Sequence, residues 1–210
     1  MVTSLRVRSF CVYTPSMPSP LGHALGGIAA GCFLTGRQVP VTSDLVLAIA
    51  FAAAAMAPDL DLLVGTHRGP SHSLGAACLA GIAALAASRQ PRVALGIAAA
   101  WMTHPLLDCM GRDTTPPLGA MALWPFSREY YLLPLQPFGA ISRRYWLVES
   151  WIQNARAIAM EVILLGPPAA LGWWFQRKKP RVSTGRTPDP TSAQDARQPP
   201  SGAGAGRAGT

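Results

Sequence analysis

The stretch DLVLAIAFAAAAMAPDLDLLVGTHRGPSHSLGAACLAGIAALAAS (44–88) decides the fold. Two runs of small and aliphatic residues, Leu45–Ala57 and Leu74–Ala87, flank a polar knot holding two aspartates, two histidines and an arginine. Neither run alternates apolar with polar residues, so helices are the default. Ser43 or Asp44 can cap the first helix, Pro58 closes it, and Ser71 or Ser73 can cap the second. The stretch therefore reads as two apolar helices joined by a polar link.

Outward from this pair, Leu21–Leu34, Val93–Met102 and Ala155–Phe175 have the same character, making five apolar stretches. Gly26, Gly27, Gly31, Gly75 and Gly81 have spacings that let helices approach closely in lipid. Most stretches are shorter than the roughly 20 residues that cross a hydrocarbon core. Ala155–Phe175, interrupted by Glu161 and Pro167-Pro168, has full length. The expected class is all-α: a multi-pass membrane bundle of four to five short helices. A soluble bundle with a very apolar core is the alternative. Residues 111–150 form a long connection, and long loops are functional or disordered. Trp124, Phe126, Tyr130, Tyr131, Tyr145 and Trp146 argue against disorder and suit a membrane–water interface.

Composition points the same way. Of 210 residues only 13% are charged and half are apolar, against about 25% charged in soluble domains. That excludes a disordered chain, and no Gly-X-Y period supports collagen. The net charge of +8 owes much to Arg177, Lys178, Lys179, Arg181, Arg186, Arg197 and Arg207. Basic residues just beyond an apolar segment mark a cytoplasmic flank, so no nucleic-acid partner is expected. Cys11, Cys32, Cys78 and Cys109 lack thiolate-zinc spacing. Residues 1–16 read as an appendage before a fresh start at Met17. Residues 17–176 form the membrane domain, and 177–210 a disordered basic tail.

The four histidines, His23, His67, His72 and His104, fall beside Asp59, Asp61 and Asp108. An up-and-down helix path brings all seven to one end of the bundle. The links at the other end, Thr35–Thr42 and Ser88–Arg92, contain neither histidine nor acid. Each piece alone has a bland explanation: a solvated turn for PDLD, a polar loop for HRGPSHS, an interfacial residue for His23. His104 and Asp108 meet on one helical face four residues apart, as a metal clamp or as a plain hydrogen-bonded pair. Jointly they point to a metal site, because ionisable groups in a membrane domain are costly. Mixed His/Asp ligation suits zinc, manganese or iron better than calcium.

GHALGG (22–27), PDLD (58–61), HRGPSHS (67–73), HPLLD (104–108), Thr114/Thr115 with Gly119, and LWPFS (123–127) run in order. Together they resemble the LexA-regulated, inner-membrane predicted metal-dependent hydrolases over about residues 17–175. LexA control describes some relatives' genes and is not carried over. The resemblance implies a multi-helix membrane domain with His23, Asp59, Asp61, His67, His72, His104 and Asp108 as metal residues. The segment CMGRDTTPPLGAMA (109–122) is slightly expanded against the family pattern and contains Asp113.

The expected activity is hydrolysis by metal-activated water, with membrane lipid as surroundings and a phosphoester or lipid-related substrate. Asp61 or Asp108 would act as general base, and Arg68 would neutralise an anionic oxygen. A non-catalytic metal-binding protein and an ion transporter remain alternatives, and only Glu161 lies deep enough in a helix to favour transport. Arg37, Arg89, Arg92 and the tail assign their end to the cytoplasm, so the metal end would face outward. Arg68, Arg112, Arg128, Arg143 and Arg144 on that end make the bias slight.

Overall fold

The structure, a computed structural model, describes residues 18–36, 44–63, 67–113 and 116–177. The readings of residues 1–16, Ser43, Thr114, Thr115 and the tail beyond Arg177 lie outside the described residues. Among the described residues there are five α-helices: α1 (Pro20–Thr35), α2 (Asp44–Met56), α3 (Leu74–Ser88), α4 (Pro91–Cys109) and α5 (Val148–Arg177). A 3₁₀ helix, Ala57–Leu63, continues α2. Among the described residues there is no strand, only two isolated bridges in the long connection, Gly111 with Phe138 and Ala120 with Tyr131.

Local chemistry sets the boundaries. Ser19 caps α1 by accepting the Gly22 N–H, with Pro20 opening the first turn where its missing N–H costs nothing. Of the two serines that could cap α3, Ser73 does so, accepting from the Ala76 N–H. Two helices outrun their apolar runs. α4 passes through Pro105 to Cys109, beyond Met102, and α5 begins at Val148, ahead of Ala155. Pro105 removes one helical hydrogen bond without ending the helix, so His104 and Asp108 stay on one turn.

α1 is the central helix, packed on α2, α4 and α5. Its glycines explain why. A Cβ on Gly31 would run into the Phe51 ring, and one on Gly27 into Ala55 and the Phe51 carbonyl. α1 and α2 therefore meet nearly backbone to backbone, closing a core of Cys32, Leu47, Phe51 and Ala100. Glu161 lies beside Gly22, and Gly172 beside Cys32, so α5 runs parallel to α1 while α2 runs antiparallel. The start of α1 thus shares an end of the bundle with the 3₁₀ helix, the start of α3 and the end of α4.

Polarity is turned outside in. Leu45, Ile49, Leu79, Ile82, Ile163 and Leu171 are all more than half exposed, whereas His23, His72, His104 and Glu161 are fully buried. Such a surface suits lipid, not water. Among the described residues, Asp44–Leu63 and Val148–Arg177 are long and apolar enough to cross a membrane; Pro20–Thr35 and Leu74–Ser88 are shorter apolar helices.

The long connection is ordered against the helices. Leu74 and Gly75 N–H groups donate to the Ala122 and Trp124 carbonyls at 2.9 Å each, and Leu133 N–H donates to the Cys109 carbonyl at 2.8 Å. Replacing Gly31 by Leu should destabilise the bundle by about 1–3 kcal/mol through overpacking. Thermal unfolding of the detergent-solubilised protein should show it. Gly166→Ala, whose added carbon meets only Val162 at 3.7 Å, should leave the transition in place.

Candidate metal centre

Four chain segments deliver the site: the first turn of α1 (His23), the 3₁₀ helix (Asp59, Asp61), the link before α3 (His67, His72) and the last turns of α4 (His104, Asp108). His72 Nε2 and His104 Nε2 face each other at 3.0 Å. Asp59 Oδ1 lies 3.6 Å from the first and 3.4 Å from the second. Asp108 Oδ2 lies 3.5 Å from His72 Nε2 and 3.4 Å from His104 Nε2. Each carboxylate oxygen thus faces both imidazole nitrogens. Ligand atoms arranged tetrahedrally at 2.0–2.2 Å from a zinc ion would be roughly 3.3–3.6 Å apart. The four carboxylate–imidazole distances fit that spacing, and the two nitrogens stand closer.

The far side of each ring fixes which nitrogen faces inward. His104 Nδ1 is 2.6 Å from the Ala55 carbonyl oxygen, which only accepts. In the neutral ring Nδ1 therefore carries the hydrogen and Nε2 the lone pair. His72 Nδ1 is 3.1 Å from Asp61 Oδ2 and 3.0 Å from Ser71 Oγ, and Ser71 donates to the same carboxylate at 2.7 Å. Asp61 consequently stands behind His72, and it also meets His67 Nδ1 at 2.9 Å. A carboxylate behind an imidazole is the usual way a metal-binding histidine is oriented. Burial opposes charge on His72, but Asp59 and Asp61 outweigh it and raise its pKa. The field that holds a proton there would equally hold a cation.

His23 stacks on His104, ring centroids 3.8 Å apart and ring planes nearly parallel, with Nε2 3.6 Å from Asp108 Oδ1. Neither ring nitrogen of His23, neither oxygen of Asp108, nor Asp59 Oδ1 has a hydrogen-bond partner among the described residues, although all are buried atoms. Buried polar groups are ordinarily paired. The same residues fall in two overlapping groups that could hold a cation, His23–His104–Asp108 and Asp59–His72–His104.

Arg68 sits differently from the substrate-facing position expected of it. Its φ of 64° lies in the left-handed region, and its side chain is 6% exposed in an ion pair with Asp113. Its N–H donates to Asp61 Oδ2 at 3.1 Å, and its carbonyl accepts the Met121 N–H at 3.2 Å. Arg68 therefore ties Asp61 to the long connection.

The family model of the YdjM inner membrane proteins matches residues 17–178, which include every one of these groups. The chain belongs to the YdjM inner membrane protein family. No curated protein and no solved structure matches it. For this YdjM-family chain the surface of exposed aliphatic residues accordingly belongs in the inner membrane.

Of the two serines beside His72, Ser71 is the one that supports the site, bonding Asp61 and His72. Ala55 of the YdjM-family chain contributes a carbonyl, which no side-chain pattern reveals. Asp113, in the expanded segment, carries no signal in the sequence of its pairing. Its carboxylate pairs with Arg68 and also accepts the Gly119 N–H at 2.9 Å. Asp113→Ala should cost about 3 kcal/mol in the connection, since it strips a buried guanidinium of a carboxylate. Limited proteolysis should then cut between Gly111 and Val148 while helical content is retained; an uncut connection would mean that the pair does not hold it.

Proposed function

We propose that the chain is a membrane-embedded metal-dependent hydrolase of the inner membrane. It would hold one divalent ion, zinc by ligand type with manganese or iron as alternatives, and act on a phosphoester or lipid-related substrate. The observation that carries this reading is that Asp59 Oδ1 and Asp108 Oδ2 each lie 3.4–3.6 Å from both His72 Nε2 and His104 Nε2, which are themselves 3.0 Å apart. These four residues would hold the ion. Once bound, it would supply Lewis acidity and a water acidified to near neutrality.

The remaining residues divide the work. Asp61 holds the His72 ring by its Nδ1 and is itself held by Ser71 and the Arg68 N–H. Those engagements favour Asp61 as a positioning residue over a general base. Asp108 Oδ1 and His23 Nε2, 3.6 Å apart, are the pair best placed to take up and return a proton. The Arg68–Asp113 pair favours a positioning role for Arg68 as well. Asp59, with a side chain 25% exposed, lies on the open side, and Leu60, Leu62 and Leu63 beside it are exposed. An amphiphile arriving laterally from the bilayer would meet that apolar rim first.

His104 Nδ1 is engaged with Ala55 and His72 Nδ1 with Asp61, leaving each ring a single nitrogen for the centre. We read the helices as crossing the membrane several times, with the centre on the outer face, from Arg89, Arg92 and Arg177 at the opposite end.

Four protein ligands also describe a closed structural site, whereas catalytic zinc keeps a position open. That observation favours metal binding without turnover as the second reading. Elemental analysis of the detergent-purified protein should find one divalent ion per chain. His104→Ala should lose both ion and hydrolysis of phosphodiester or phospholipid substrates, and full occupancy in that variant would sink the assignment. Asp61→Asn should weaken the ion by about 10- to 100-fold without removing the ligand set. An ion retained with no turnover on any of these substrates selects the second reading.

A further inference from the structure

A groove of about 710 Å³ lies away from the histidine cluster, between the long connection and the first half of α5. Its size falls in the roughly 300–1,000 Å³ range of small-molecule sites. Pro137, Ile152 and Met160 contribute apolar surface, and Arg112, Arg156 and Glu149 contribute charge. Two guanidinium groups against one carboxylate leave the groove net positive. Arg112 and Arg156 are both exposed, so their charges are presented to whatever enters.

The depth of the groove is set by the length of α5. This helix has 30 residues, about 45 Å at 1.5 Å per residue, which is the full thickness of a bilayer with its headgroups. Glu161 is level with the start of α1, where it accepts from the Ser19 N–H at 2.7 Å. The part of α5 before Glu161 therefore projects beyond the bundle, into and past the headgroup layer. Aromatic residues mark the same level: Trp146 is 75% exposed and Trp151 60%, as expected of side chains at the interface.

We propose that this groove binds a net-anionic phospholipid. Arg112 and Arg156 take the phosphodiester, and Met160, one turn nearer the bundle than Arg156, takes the beginning of an acyl chain. Arginine suits the task because its planar fork matches phosphate oxygens in pairs. Glu149 disfavours a second negative charge close by, which selects a singly charged headgroup such as a phosphatidylglycerol over a more highly charged one. The inference does not rest on the metal centre, none of whose residues line the groove.

The test uses the full-length protein in neutral detergent, with lipid binding counted by native mass spectrometry. Short-chain phosphatidylglycerol and phosphatidylcholine are the two probes. Phosphatidylglycerol should bind more tightly than phosphatidylcholine. Near an anionic lipid surface each basic residue is worth about 1 kcal/mol, so Arg112→Gln and Arg156→Gln should each weaken it about fivefold and the double variant about thirtyfold. Met160→Gln should weaken both lipids alike. Ion content and helicity should stay unchanged in the arginine variants, which separates a failure here from a failure of the hydrolase reading. Should the double variant lose helicity, the single variants carry the test. Unchanged phosphatidylglycerol affinity in the arginine variants would overturn the proposal. Displacement by millimolar inorganic phosphate would do the same, since it would mark a site for free phosphate instead of lipid.

Discussion

Two imidazoles and two carboxylates largely taken out of water at one end of the bundle set the constraint that the rest of the molecule must meet. His72 and His104 bring two Nε2 atoms to 3.0 Å, and Asp59 and Asp108 add carboxylate oxygens to the same point. Removing one ionised carboxylate from water costs several kcal/mol unless a counter-charge repays it. The residues concerned come from the 3₁₀ helix, the link before α3 and α4, with His23 of α1 stacked alongside. A counter-charge at that point would therefore also fasten these segments together, coupling the centre to the fold.

Holding such a cluster in register requires bracing from behind. Asp61 accepts from Ser71 and the Arg68 N–H while facing His67 and His72. Arg68 extends the brace to Asp113 and to the Met121 N–H. Its left-handed backbone carries strain of order 1 kcal/mol or more, which persists because contacts on both of its sides over-determine it. The Trp101 indole donates to the Ser71 carbonyl at 2.9 Å, tying the same loop to α4. The long connection is thus part of the site's support, which accounts for its order despite its length.

The membrane-facing part of the structure obeys a different rule, close approach through small residues. Glycines of α1 admit Phe51 and Ala55 at backbone distance. Glu161, an acid inside an apolar helix, is satisfied by the Ser19 N–H and hydroxyl at the start of α1. A carboxylate at a helix N-terminus is favoured by the local dipole. Glu161 therefore fastens α5 to α1, a structural task that explains its presence without an ion path.

What was legible in the sequence is what depends on composition and spacing. Low charge, apolar runs without alternation and the capping serines pointed to an all-helical membrane domain. The i, i+4 spacing put His104 and Asp108 on one face, and the up-and-down path put the histidines and aspartates at one end. Helix limits were less legible: Pro105 and the polar start of α5 interrupt the apolar pattern without interrupting the backbone hydrogen bonds around them. Only the tertiary structure divided the seven residues, setting Asp59 and Asp108 each against both His72 and His104, Asp61 and His67 behind His72, and His23 stacked on His104. Sequence spacing determines which face of an element a residue occupies. Which nitrogen of an imidazole turns inward depends on the acceptor behind it, here the Ala55 carbonyl and the Asp61 carboxylate, and those reach the rings only when the chain folds back on itself.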